Sequence, residues 1–135
     1  MDQSIILLTY KGKILLMHKD YILETIDANP WHFICGVNDK NGASQEAITR
    51  EVKKETSIDL SSVELLGSVD EEDRKKYFYH ASLTDENVNN MAHRDGKILG
   101  FFSVKELDNL LLSLSTKLLI SRHRSVLEKP SLNLT

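Results

Sequence analysis

Cysteine occurs once, at Cys35, so the chain can form no internal disulfide and offers no cysteine partner for a zinc site. Long apolar runs are missing as well. The first, residues 5–8, is soon interrupted by Lys11 and Lys13, far short of a membrane span or a secretory segment. A cytoplasmic location with no membrane partner is the expectation. Neither sign of charge dominates: 17 basic against 20 acidic residues leave a net charge of -3. Without a basic surface or a visible basic run, general nucleic-acid binding is not expected. The five histidines, at 18, 32, 80, 93 and 123, show no metal-ligand spacing and read as surface or half-buried residues. No internal repeat, linker or low-complexity block is found.

What remains is an ordinary globular composition, 41% hydrophobic and 27% charged over 135 residues. It predicts one domain over residues 1–135, long enough for a real core, with a frayed tail from 131 onward. Two apolar runs, 4–10 and 13–18, flank Lys11-Gly12, a hairpin signal. Lys19 ends the second run. Residues 20–30 form a connection, and Pro30 biases Asn29 toward an extended backbone. Strands are expected at 63–69 and 77–83, with a charged loop at 70–76 between them. Asp95-Gly96 marks a turn before a strand at 97–102. Ser103 and Glu106 make a capping box for a following helix. A last helix is expected over 115–128, stopping before Pro130.

The stretch 31–58 carries the chemistry. It reads as an apolar strand (Trp31, Phe33, Ile34, Cys35), a polar turn from 36 to 43, and an amphipathic helix over 44–56. Ser44 is a plausible N-cap, and Ala47, Ile48 and Val52 make the buried stripe. Arg50, Glu51, Lys54 and Glu55 take the other face. Glu51 and Glu55 are one turn apart, so both carboxylates project from the same side. A loop feeding a helix with acids and an arginine can hold a divalent cation against phosphate oxygens. On composition alone, the same residues describe a solvated face with weak ion pairs, about 0.2–0.5 kcal/mol each.

This stretch resembles the signature of the Nudix (MutT-like) hydrolases: Gly, five residues, Glu, seven residues, then Arg-Glu-apolar-any-Glu-Glu-any-Gly-apolar. Gly36 opens it and Arg50-Glu51-Val52-Lys53-Lys54-Glu55-Thr56-Ser57-Ile58 closes it in register. Trp31-His32-Phe33-Ile34-Cys35-Gly36 is similar to the family's lead-in. The run Gly100-Phe101-Phe102-Ser103 with its preceding Asp95-Gly96 resembles the late part of such domains, so the likeness extends over about residues 4–127. Three positions depart from the signature. Gly42 stands at its first Glu, Lys54 at one of the paired Glu residues, and Ser57 at its second Gly.

The resemblance implies an α/β fold, a Nudix-like α/β/α sandwich with a mixed β-sheet. It also implies hydrolysis of a nucleoside diphosphate linked to another moiety, with Mg²⁺ or Mn²⁺. A diphosphate is polyanionic, and divalent ions let it approach a carboxylate-rich site. Carried over by position, Glu51 and Glu55 would be metal ligands, joined by the Gly36 carbonyl, with Asp39 as an auxiliary acid. Arg50 would orient a Glu by a charge-assisted pair. Lys19 would reach substrate phosphate, or merely end a strand in solvent. Lys54 either contacts phosphate in place of a cation or ties up the two carboxylates. The second outcome leaves a catalytically idle domain that binds nucleotide or a protein partner.

Overall fold

The computed structural model describes residues 1–19, 31–92, 97–110 and 112–124. The chain runs β1 (Gln3–Tyr10), β2 (Lys13–Lys19), β3 (Ile34–Val37), α1 (Gln45–Thr56), β4 (Glu64–Glu71) and β5 (Arg74–Ser82). It continues through α2 (Asp85–Asn89), β6 (Lys97–Ser103), α3 (Val104–Leu107) and α4 (Leu114–Arg122).

The β1–β2 turn is the expected Lys11-Gly12 pair. Both residues have positive φ, 46° and 79°, the backbone that tight hairpins require. β1 lies at the centre of a mixed sheet ordered β4-β5-β1-β2-β6, parallel to β5 and antiparallel to β2. The early half of β1 also pairs antiparallel with β3, bringing Ser4 opposite Gly36 and Ile5 opposite Cys35. A central strand is covered on both faces, which is why Ile5, Ile6, Leu7 and Leu8 are all buried without polar alternation.

Those two faces make two cores. On one, Ile48 and Val52 of α1 pack against Ile6, Leu8, Leu15, Met17 and Ile34. On the other, Leu107 of α3 and Leu119 and Ile120 of α4 cover Ile5, Leu7, Phe33 and Phe78. Helices therefore lie on both sides of the sheet, the expected α/β/α sandwich. Ile48 and Val52 are fully buried, and burial of such side chains is worth about 1.5–3 kcal/mol each. That burial holds α1 against the sheet.

Several boundaries differ from the sequence expectation. Trp31 and His32 make only isolated bridges, and the third strand itself begins at Ile34. The charged segment 70–76 is not an open loop. Its ends pair as Asp70 with Lys75 and Glu71 with Arg74, leaving only Glu72 and Asp73 in the turn. Opposite charges facing each other across the strands favour this closure. The short helix α2 was not expected, although Thr84 and Asn87 form its capping box. The Ser103–Glu106 box is formed as expected, but α3 lasts only one turn. The 20–30 connection, the Asp95-Gly96 turn, His93, the helix end at 125–128 with its Pro130 stop and the 131–135 tail lie outside the described residues.

Candidate functional site

α1 starts where its sequence says it should. Ser44 has extended backbone angles, and its hydroxyl accepts a hydrogen bond from the Ala47 N–H at 3.1 Å. The helix ends at Ser57, held in the left-handed region (φ 66°), with its N–H donating to the Lys53 carbonyl. Thr56 donates its hydroxyl to the Val52 carbonyl and accepts from the Ile58 N–H, so the last turn is anchored.

Gly36 and Glu51 are brought into direct contact. A Cβ placed on Gly36 would lie 3.3 Å from Glu51 Cγ and 3.5 Å from Oε1. The missing side chain is the space in which the Glu51 stem lies. Lys54 approaches the other oxygen of the same carboxylate, its Nζ 3.9 Å from Glu51 Oε2. That is a long contact between a half-exposed ammonium and a carboxylate only 21% exposed, so solvent screens it and leaves the lysine movable.

Glu55 differs from the expectation of a solvated helix face: it is buried, 6% exposed, in the last turn of α1. Arg50 does not pair with a Glu of the helix. Its Nη2 reaches Asp39 Oδ2 at 3.3 Å, an exposed pair that ties the turn to the helix. Asp39 is thus spent on Arg50. Lys19 closes β2 opposite Lys97 on β6. Its side chain lies outside the described part.

Cys35 reports the electrostatics here. The residue is exposed, yet packing around its thiol, and then the nearby Glu51 carboxylate, pushes the thiol above the ordinary range. Lys76 and Lys97 act in the opposite sense and Glu55 adds to the rise. Lys76 and Lys97, which the sequence does not single out, are the cations that act on this thiol. The sequence pattern puts Lys76 in the charged loop 70–76. It is instead a buried residue of β5, bonded to Glu71 Oε2 at 3.2 Å. The acids of that hairpin are likewise engaged with its own basic residues, Asp70 with Lys75 and Glu71 with Arg74.

A buried polar cluster closes the 38–44 turn. Asp2 accepts from the Gly42 N–H at 2.7 Å through one carboxylate oxygen and from the Lys75 N–H at 2.8 Å through the other. These two bonds, the Gly42 one foremost, hold its carboxyl below the usual range. Asn38, fully buried, donates Nδ2 to the Gly42 carbonyl at 2.7 Å and accepts from the Ser4 hydroxyl at 2.8 Å. Gly42 itself has φ 107°, a backbone that side chains disfavour. No sequence signal marked Asp2 or Asn38, because their partners lie up to 73 residues away.

Among the described residues no three His, Cys, Asp or Glu side chains are grouped to hold a metal ion. Carboxylates such as Glu51 and Glu55 are nevertheless hard oxygen donors. Mg²⁺ is commonly taken by one or two carboxylates together with substrate phosphate and water. Acids of this kind suit a divalent ion shared with a phosphate ligand better than a closed protein cage.

A family model described as "NUDIX domain" matches residues 2–126. No curated protein matches the chain by sequence comparison. Among solved structures, MutT, from work on the fish pathogen Aliivibrio salmonicida and on Vibrio cholerae, is similar with TM-score 0.70 and 15% identity, covering 90% of this chain and 97% of that one. The NUDIX domain of Shewanella oneidensis NrtR, complexed with ADP ribose, gives TM-score 0.67 and 14% identity over 94% of this chain and 88% of that one. The E. coli ORF135 protein gives 0.66 and 20% identity over 96% and 93%. At these identities the structural likeness speaks for the fold alone.

Proposed function

The chain belongs to the NUDIX family, and from that premise we propose that it hydrolyses the diphosphate linkage of a nucleoside diphosphate joined to another moiety. The observation that carries this reading is the contact of Glu51 with Gly36, with the Lys54 ammonium near the other oxygen of the carboxylate. An acid that lies against the opening glycine of the signature, with a movable cation within reach, is what supports the reading. Glu51, Glu55 and the Gly36 carbonyl would hold Mg²⁺ or Mn²⁺ together with the substrate, which supplies charge neutralisation and a more acidic water there. Glu51 accepts the proton of the attacking water on a carboxylate oxygen. Lys54, released from its long contact, donates to phosphate oxygens and orients them. Lys19, at the end of β2, is the second candidate phosphate contact. Arg50 and Asp39 keep the turn in place. A cytoplasmic setting is part of the same proposal.

The test is turnover of a panel of nucleoside triphosphates, nucleotide sugars, dinucleoside polyphosphates and ADP-ribose with Mg²⁺ or Mn²⁺. ADP-ribose is included because the NrtR domain was solved with it. Metal-dependent release of phosphate-containing products, lost in Glu51→Gln, supports hydrolysis. A second reading, a nucleotide- or partner-binding domain without turnover, is motivated by Gly42, Lys54 and Ser57, the three positions that depart from the signature. It predicts nucleotide or partner binding that a chelator leaves unchanged and no product from any panel member.

A further inference from the structure

We propose that Asp2 is a positioning residue for the candidate site: its carboxylate fixes the turn before α1 and thereby keeps Glu51 seated against Gly36. The inference rests on the reading of Glu51 as a ligand-facing group.

The stripe that docks α1, Ala47, Ile48 and Val52, is apolar. Apolar contact is non-directional and does not by itself fix how far the helix slides along its own axis. Directional bonds at the turn do. Both polar groups of the Gly42 backbone are taken, the N–H by Asp2 and the carbonyl by Asn38. The Asn38 N–H in turn donates to the Asp2 carbonyl at 2.9 Å. Because Asp2 directly precedes β1, whose Ser4 lies opposite Gly36, the turn is referenced to the strand that also locates Gly36. The second carboxylate oxygen takes the Lys75 N–H, so the same side chain also holds the start of β5. One side chain thus ties the turn that leads into α1 to the first residues of β5. The signature's acid is missing at Gly42, and Asp2 supplies a carboxylate to that same backbone position from the far end of the chain.

Nuclear magnetic resonance on the full chain tests this with Asp2→Asn and, separately, Asn38→Asp, alongside calorimetric titration of ADP-ribose. Asn at position 2 keeps the size but has one acceptor oxygen where two are needed, and Asp at 38 has no donor for the Gly42 carbonyl. The expected result is a tenfold or greater rise in amide exchange at Gly42 in at least one variant. Displaced Gly36 and Glu51 resonances accompany it, and Val52 and Phe78 protection stays within threefold of wild type. Unchanged Gly42 exchange in both variants overturns the proposal. So does a loosened Gly42 with Gly36 and Glu51 resonances in place, or a parallel loss of Val52 and Phe78 protection in both, which marks a merely structural role. Absence of ADP-ribose binding by the wild-type chain counts against that ligand and leaves the resonance test standing.

Discussion

Gly36 and Glu51 touch across the strand–helix junction, the glycine leaving room for the stem of the acid, with 3.3 Å between a would-be Cβ and Glu51 Cγ. That distance is too tight for an added methyl unless Glu51 shifts by a few tenths of an ångström.

Gly36→Ala is therefore expected to move the Glu51 carboxylate at a stability cost of about 1 kcal/mol, the low end for overpacking a site with a movable neighbour. Turnover or ligand affinity should fall much further than stability. Thermal melts alongside ligand titration separate the two effects, and an unchanged affinity would show that this contact does not set the site.

Lys54→Glu removes the ammonium 3.9 Å from Glu51 and restores an acid at that helix position. Manganese uptake followed by calorimetry should tighten at least tenfold. Activity gained with it marks the natural lysine as the brake; activity lost marks it as a working phosphate contact.

Gly42→Glu acts in the opposite direction, though it too restores an acid of the signature. Open space surrounds the position, so the obstacle is the backbone: φ 107° strains any side-chain-bearing residue. A loss of about 1–3 kcal/mol is expected on chemical denaturation.

Ser57→Gly relieves a smaller strain of the same kind at the left-handed end of α1 (φ 66°). Here the change should raise stability by about 1 kcal/mol, a few degrees in the melting temperature.

The Asp2 carboxyl is held low by the Gly42 and Lys75 N–H groups. A depressed carboxyl contributes stability that is complete above its unfolded pKa and is lost as pH falls through the folded value. The stability gap between wild type and Asp2→Asn should hold steady near pH 7 and close in acid. Denaturation series at several pH values read this directly.

What the sequence disclosed was local. The Lys11-Gly12 turn, the Ser44 cap and the Ala47, Ile48 and Val52 stripe each involve residues within a few positions of one another. Backbone sterics and helical spacing specify them without help from the rest of the chain. The layered fold and its family came from register over a longer stretch, Gly36 to Ile58. Features that depend on distant pairing stayed hidden. The parallel alignment of β1 with β5 decides that Lys75 sits beside Asp2, and no local pattern encodes it. Glu55 lies on the helix side that the spacing assigned to solvent, and only the packed surroundings bury it. Arg50 chose Asp39, eleven residues back, over its helical neighbours because the turn folds toward it.

β3 is only four residues long and borrows its ladder from the first half of β1. Successive residues of a strand face opposite ways, so a slip of one place would turn the Cys35 thiol toward α1 and rotate the glycine away. The acid would then meet a side chain where it now finds a hollow. The same slip would lift Ile34 out of the core it shares with Ile48 and Val52, so the alignment that seats the acid is also the one that buries the strand.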